Sequence, residues 1–273
     1  MLGPAAGIAT AVTWGAGDFC GGMAAKRQRV LVVVLFSQAL GLVGVGAVAL
    51  LVHEQMPPWF DLLWGAGAGL AGAVGVTALY ASLASGRMGI AAPVTGIVAA
   101  ILPVSYSWWR GGIPSLWALG GVVLALGGLV LVSGTKAERP SRRVLVLALI
   151  SGLGFATFLL LMGFSTGRSY YWTLTAARGG STIVLLGLVL SSRAAWGRPG
   201  WAVAGAALGD TLGNAFYLLA TRLGRLDVAV VLSSLYPVTT VILARVVLKE
   251  RLTRAQTAGA ALMLAAIPLV ALG

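Results

Sequence analysis

The chain has 273 residues, of which 59% are hydrophobic and 10% charged, with a net charge of +12 and a mean hydropathy of +0.95. A soluble domain usually carries charge on about a quarter of its residues. A chain this apolar could not cover its own surface in water, so the composition predicts an integral membrane protein. A basic chain can also bind nucleic acid. Here, however, Lys and Arg form short clusters between apolar runs, which favours the lipid bilayer as partner and disfavours nucleic acid.

Ten apolar runs have the length of roughly 20 residues that a spanning helix needs. In chain order they cover about 5–25, 30–52, 61–85, 88–109, 114–133, 144–164, 172–192, 199–221, 226–248 and 255–272. They lack the strict alternation of membrane β-strands. We therefore predict an all-α integral membrane protein with ten transmembrane helices. The segment Met1–Gly7 has no basic residue, so we expect the first run to be a retained span and not a cleaved signal peptide.

The longest connection divides the ten runs into two sets of five. It covers residues 134–143 and is basic, which predicts a first repeat at 4–133, a linker, and a second repeat at 144–272. The two sets are similar in sequence: YASLASGRMGIAAPV begins at Tyr80 and YLLATRLGRLDVAVV at Tyr217. Because five is odd, the second copy must enter the membrane from the opposite face. Inverted repeats are typical of alternating-access transporters, although duplication also builds membrane proteins that transport nothing.

The distribution of Lys and Arg predicts the orientation. Thirteen of the nineteen lie in the odd-numbered connections, four in the even-numbered ones and two within spans. Positive charge is enriched in cytoplasmic loops. The count therefore favours cytoplasmic odd connections, with both termini outside the cytoplasm.

Several motifs resemble one known family. They are Trp14-Gly15 in the first run, a proline in the fourth and ninth runs, and Lys249-Glu250 followed by Gln256 and Gly259. Together with the paired Tyr segments, they resemble the EamA-type branch of the drug/metabolite transporter superfamily. The first repeat departs from the family pattern at Arg110-Gly111-Gly112, where Gly-Glu is usual. The family generally keeps both termini in the cytoplasm, which conflicts with the charge count.

The resemblance implies two inverted EamA-like repeats that form a transport cavity. The cavity would be lined by spans one, three, four, six, eight and nine. It also implies secondary transport of small metabolites.

Ionisable groups inside a bilayer are costly and require a reason. Asp18 lies in the first run, and Trp14 precedes it by four residues, so both side chains face the same way. Asp18 could contact a cation or amine or carry a proton. Alternatively, it is an interfacial carboxylate paired with a neighbouring Arg.

The eighth run combines a smooth face with a polar one. Glycines at 205, 209 and 213 predict close helix packing. Asp210, Asn214 and Tyr217 share a second face about 100° away. This pattern is typical of a cavity-lining helix, and a buried hydrogen-bonded pair between helices is the alternative.

Arg178 in the seventh run occupies a position where the resembled family often has Arg, and the first repeat has Gln38 there. Arg178 could neutralise Asp210 or Asp18, or bind an anionic substrate. We favour a structural ion pair.

Pro103 and Pro237 each predict an interrupted helix. Interrupted helices at corresponding points of two repeats mark a binding site, because free backbone groups at membrane depth face protein or a cavity. A simple packing kink is the alternative. The substrate-binding or coupling candidates are Trp14, Asp18, Tyr80, Pro103, Tyr106, Arg178, Asp210, Asn214, Tyr217, Ser234, Tyr236 and Pro237.

The sequence thus predicts a multi-pass protein of the plasma (bacterial inner) membrane that is not an enzyme and uses no cofactor or metal. It would move small metabolites, with efflux of amino acids or related molecules as the expectation from the family. A substrate gradient or protons would drive it. A flippase for an amphipathic lipid-linked carrier is the alternative. The sequence leaves the substrate, the direction of transport and the oligomeric state open.

Overall fold

A computed structural model describes residues 2–85, 88–111, 115–133, 141–165, 169–192, 200–248 and 253–271. Throughout these residues the regular secondary structure is helical. The helices are α1 (Leu2–Ala25), α2 (Val30–Leu51), α3 (Trp59–Ala84), α4 (Met88–Gly111), α5 (Leu116–Ser133), α6 (Arg142–Phe164), α7 (Tyr170–Ser191), α8 (Trp201–Leu223), α9 (Leu226–Ser233), α10 (Tyr236–Leu248) and α11 (Arg254–Ala271).

Each predicted apolar run contains helix, with ends within three residues of the predicted ones. Five helical segments of the described chain are long and apolar enough to cross a membrane by length and composition: Val30–Leu51, Trp59–Ala84, Arg142–Phe164, Tyr170–Ser191 and Val228–Leu248. The all-α, multi-pass membrane character predicted from the composition is therefore confirmed.

The two prolines behave differently. The ninth run divides into α9 and α10 at Ser234 and Leu235, and Pro237 is the second residue of α10. The missing N–H of Pro237 thus falls in a first helical turn, where N–H groups have no intrahelical partner. The predicted interruption at Pro103 is wrong, because α4 continues from Met88 to Gly111. Pro103 is buried, and a helix packed among neighbours can absorb a proline by bending.

Glycines line the most extensive helix packing, between α1 and α8. A Cβ added at Gly209 would lie 2.5 Å from Cα of Gly17. One at Gly205 would lie 2.8 Å from Sγ of Cys20, and one at Gly213 would lie 2.2 Å from Cδ1 of Trp14. The glycine series of the eighth run is therefore a packing face, as its spacing predicted.

The other extensive packings join α3 to α6 and α7, α4 to α6, α2 to α7, and α5 to α11. Helix α1 also packs against α9 and α10. The central helices thus surround a common interior.

A contact between distant parts of the chain fixes the start of α7. The Glu54 carboxylate, in the connection between α2 and α3, accepts hydrogen bonds from the backbone N–H groups of Tyr170 (2.6 Å), Tyr171 (2.8 Å) and Trp172 (3.0 Å). The Trp172 indole donates to the main-chain oxygen of Glu54 at 2.9 Å. An anion at this position satisfies free N–H groups and complements the helix dipole.

Candidate functional site: a polar cavity among the central helices

The central helices enclose a cavity of about 60 Å³. This is room for a few water molecules, since roughly 10–15 Å³ of such space holds one. Its lining residues are Trp14, Asp18, Gln38, Gly69, Gly72, Val76, Ala99, Phe155, Phe158, Leu159, Ala177, Arg178, Ser181, Asp210, Asn214, Ser234 and Tyr236. All six spans that the family resemblance implied contribute, and α2 and α7 contribute as well.

Arg178 of α7 joins three helices at the cavity. Its side chain is 6% exposed, and its Nη1 donates to Oδ2 of Asp210 on α8 at 2.5 Å. The same Nη1 donates to Oε1 of Gln38 on α2. The predicted ion pair therefore forms with Asp210. Removing one partner of a buried pair leaves an uncompensated charge, at a cost of about 3–5 kcal/mol.

The second oxygen of Asp210 is held within its own helix. Nδ2 of Asn214 donates to Oδ1 of Asp210 at 2.9 Å and to its main-chain oxygen at 2.7 Å. The four-residue spacing places both side chains on one helical face. Both carboxylate oxygens of Asp210 are thus engaged, although a quarter of its side chain is exposed in the cavity.

The guanidinium of Arg178 keeps unused donors. Its Nε and Nη2 are buried and find no hydrogen-bond partner in the described part of the chain. An arginine has five N–H donors, so the existing pair leaves capacity for a water molecule or an anionic group.

Asp18 lies on α1 close to the point where that helix crosses α8. It follows Gly17, whose added Cβ would lie 3.0 Å from the backbone nitrogen of Asp210. The Asp18 residue is 8% exposed and lines the cavity. Unlike Asp210, it has no ion pair or hydrogen bond with any described residue. The predicted alternative of pairing with a neighbouring Arg is therefore absent from the described chain.

Aromatic side chains border the Asp18 side of the cavity. Trp14 stacks on Tyr217, with ring centroids 5.7 Å apart, and meets Tyr236 edge-on at 6.4 Å. Tyr80 is fully buried against α1, where a Cβ at Gly21 would lie 2.0 Å from Cζ of Tyr80. Edge-on and stacked contacts of this kind hold the rings in fixed orientations.

The candidate residues divide into three groups. The cavity-lining ones are Trp14, Asp18, Arg178, Asp210, Asn214, Ser234 and Tyr236. Tyr80, Tyr217 and Pro237 lie behind the lining. Pro103 and Tyr106 of α4 lie outside it, and Tyr106 packs instead against Trp109 and Phe164, at centroid distances of 6.2 and 5.2 Å.

Sequence reasoning missed Gln38, Ser181 and the α3 glycines as lining residues. The glycines carried a signal, because Gly65, Gly69 and Gly72 recur at helical spacing. At Gly69 a Cβ would lie 1.9 Å from the main-chain oxygen of Ala177 on α7. Within the described chain, no three His, Cys, Asp or Glu side chains come together as metal ligands.

These features define a multi-pass helical membrane protein with an ionisable cluster in its interior. Residues 142–272 match the model of the EamA-like transporter family, a branch of the drug/metabolite transporter superfamily. A crystal structure of a protein 17% identical to this chain superposes with a TM-score of 0.76, covering 99% of this chain and 96% of its own. At that identity the likeness describes the fold alone. No curated protein matches the chain.

Proposed function

We propose that the protein is a secondary transporter that moves small metabolites through the central cavity by alternating access. The observation that carries the proposal is the charged cluster of Arg178, Asp210 and Asp18 in the interior of an apolar helical bundle. Charges at such a depth are costly and are typical of substrate and ion pathways. The family match supports transport over catalysis, so we expect no enzymatic activity.

The helix packing supports two inverted repeats of five spans. In such repeats, α1 to α5 correspond in order to α6, α7, α8, the α9–α10 pair and α11. The packing of α1 against α8 then has its equivalent in the packing of α6 against α3. The packing of α1 against the α9–α10 pair has its equivalent in that of α6 against α4, and all four packings are present. The cavity would then lie where the repeats meet, as in transporters that work by alternating access.

Two glycine pairs reproduce this correspondence at the level of residues. Added Cβ atoms at Gly15 and Gly17 of α1 would meet α10 and α8. Those at Gly152 and Gly154 of α6 would meet α4 and α3. The same local spacing therefore makes equivalent contacts in both sets of helices.

We further propose a plasma-membrane protein with both termini outside the cytoplasm, because Lys and Arg favour the odd connections by thirteen to four. A reporter fused to the C-terminus that works only outside the cytoplasm should be active. A silent reporter, with the matching cytoplasmic reporter active, would establish the opposite orientation.

The flux experiment compares metabolites exported by cells with and without the protein, and then measures the exported molecules in proteoliposomes. Asp210→Asn should abolish flux, because it removes the negative charge that neutralises Arg178 in the cavity. Asn retains an oxygen acceptor for Nη1 of Arg178, and thermal unfolding checks that the variant still folds. Unchanged flux would contradict a role for the Arg178–Asp210 pair in transport.

A further inference from the structure

The charges that line the cavity do not balance. The described lining contains two carboxylates, Asp18 and Asp210, and one guanidinium, that of Arg178. Arg178 and Asp210 neutralise each other across 2.5 Å. One negative charge therefore remains whenever Asp18 is ionised, and it belongs to a residue that is 8% exposed.

Apart from Arg178, which is paired with Asp210, the described residues around Asp18 supply no cation. Helix α8 presents Asp210, which interacts with the Asp18 charge unfavourably. Helices α3 and α10 present Tyr80 and Tyr236, and both side chains interact electrostatically with the Asp18 carboxylate.

The remaining neighbours also leave Asp18 uncompensated. Helix α2 contributes the neutral Gln38 to the cavity, and α9 meets α1 through Leu232. On α1 itself Cys20 follows, and the exposed Lys26 lies after the helix end, about 12 Å along the axis at about 1.5 Å per residue.

An ionised carboxylate in such surroundings needs a neutralising partner. The partner can be a proton or a cation that enters the cavity, and both would occupy the same oxygens. Trp14, one helical turn before Asp18, and Tyr236 line the cavity beside it. Aromatic ring faces attract ammonium groups, so the surroundings favour an organic cation over a hydrated metal ion.

We propose that Asp18 binds the ammonium group of a monovalent organic amine, and that this ammonium and a proton exclude each other. The inference rests on the proposed function for its transport role. As the ammonium arrives, the protonated carboxyl releases its proton to the solvent, so one positive charge replaces another. Exchange of one amine for one proton across the membrane would then be electroneutral. Asp210, whose oxygens are both engaged, would keep Arg178 paired during the exchange.

The test uses three probes of equal chain length: n-butylammonium, butyrate and n-butanol. Calorimetric titration of the purified full-length protein, in buffers of different ionisation enthalpy, measures binding and the protons released. We expect n-butylammonium to bind most tightly, with release approaching one proton at low pH. In that range its Kd should rise about tenfold for each pH unit lowered.

Asp18→Asn should weaken n-butylammonium binding by about 10- to 100-fold, the range for losing a hydrogen bond to a charged group, and should abolish proton release. Asp61→Asn makes the same chemical change at a buried residue of α3 that is not in the lining, and it should bind as the unaltered protein does. Equal binding of n-butanol or butyrate, or pH-dependent binding that persists in Asp18→Asn, would overturn the proposal.

Two further measurements keep the outcomes distinct. If Asp18→Asn fails to fold, the probe series and its pH dependence on the unaltered protein still test the proposal, and Asp18→Glu should retain proton release. Metabolite flux in proteoliposomes without n-butylammonium binding would overturn the assignment of Asp18 and leave the transport function standing. Binding with proton release but without any flux would support the amine site and contradict the transport function.

Discussion

Asp18 and Asp210 are two carboxylates of one cavity with opposite surroundings. Asp210 receives hydrogen bonds from Arg178 and Asn214, so both of its oxygens are occupied. Asp18 is more deeply buried, yet no described residue bonds to it. Burial alone therefore does not distinguish a structural carboxylate from one available to a ligand. The hydrogen-bond donors around each carboxylate distinguish the two.

Of the changes that test this comparison, removing the Arg178 guanidinium should have the largest effect on stability. Arg178→Met leaves both carboxylates without a positive partner, and we expect the free energy of unfolding in detergent to fall by about 3–5 kcal/mol. Thermal unfolding checks the loss. Adding Asp210→Asn to Arg178→Met should recover part of the lost stability. If the double variant instead loses the sum of the two single losses, the pair is not coupled.

Separating α1 from α8 should disturb both carboxylates together, because Asp18 follows Gly17 and Asp210 follows Gly209. Gly209→Ala would bring a methyl group 2.5 Å from Cα of Gly17. We expect a loss of about 1–3 kcal/mol in stability, as for overpacking elsewhere. Gly44→Ala is the matched control, since no atom of the described residues lies within 4 Å of its added Cβ. Equal stability of the two variants would contradict the tight α1–α8 contact.

The smallest of these effects should come from removing the hydrogen bond between Asn214 and Asp210 within α8. Asn214→Ala removes the donor to Oδ1 of Asp210, and we expect a loss of about 1 kcal/mol in stability. Calorimetric unfolding measures it. Because Asp18 does not depend on Asn214, n-butylammonium binding should stay within about twofold. A large loss of binding would mean that the two carboxylates act as one unit.

Much of the fold followed from the sequence, because its signals are local. The length of each apolar run predicts a helix, and the ends of the ten runs agree with the structure within three residues, although the ninth run contains both α9 and α10. Glycine and polar spacing likewise placed Gly205, Gly209 and Gly213 on one face of α8 and Asp210 with Asn214 on another.

The features that the sequence left open or predicted wrongly depend on how the helices pack against one another. Spacing could not decide whether Arg178 meets Asp18 or Asp210, because that depends on how α1, α7 and α8 are rotated against one another. For the same reason Gln38 was not recognised as a lining residue. Pro103 and Pro237 gave identical sequence signals, but the helix breaks only near Pro237. The contact of Glu54 with the start of α7 spans more than a hundred residues, and local patterns cannot show it.

The central claim is that the cavity opens alternately to the two sides of the membrane. Cys20 is the single cysteine of the chain, so Cys20→Ala with Ser181→Cys would place one thiol in the cavity lining. A membrane-impermeant thiol reagent should label Cys20→Ala/Ser181→Cys from either side of oriented vesicles, and a transported substrate should slow the labelling. Labelling from one side alone, or from neither, would contradict alternating access.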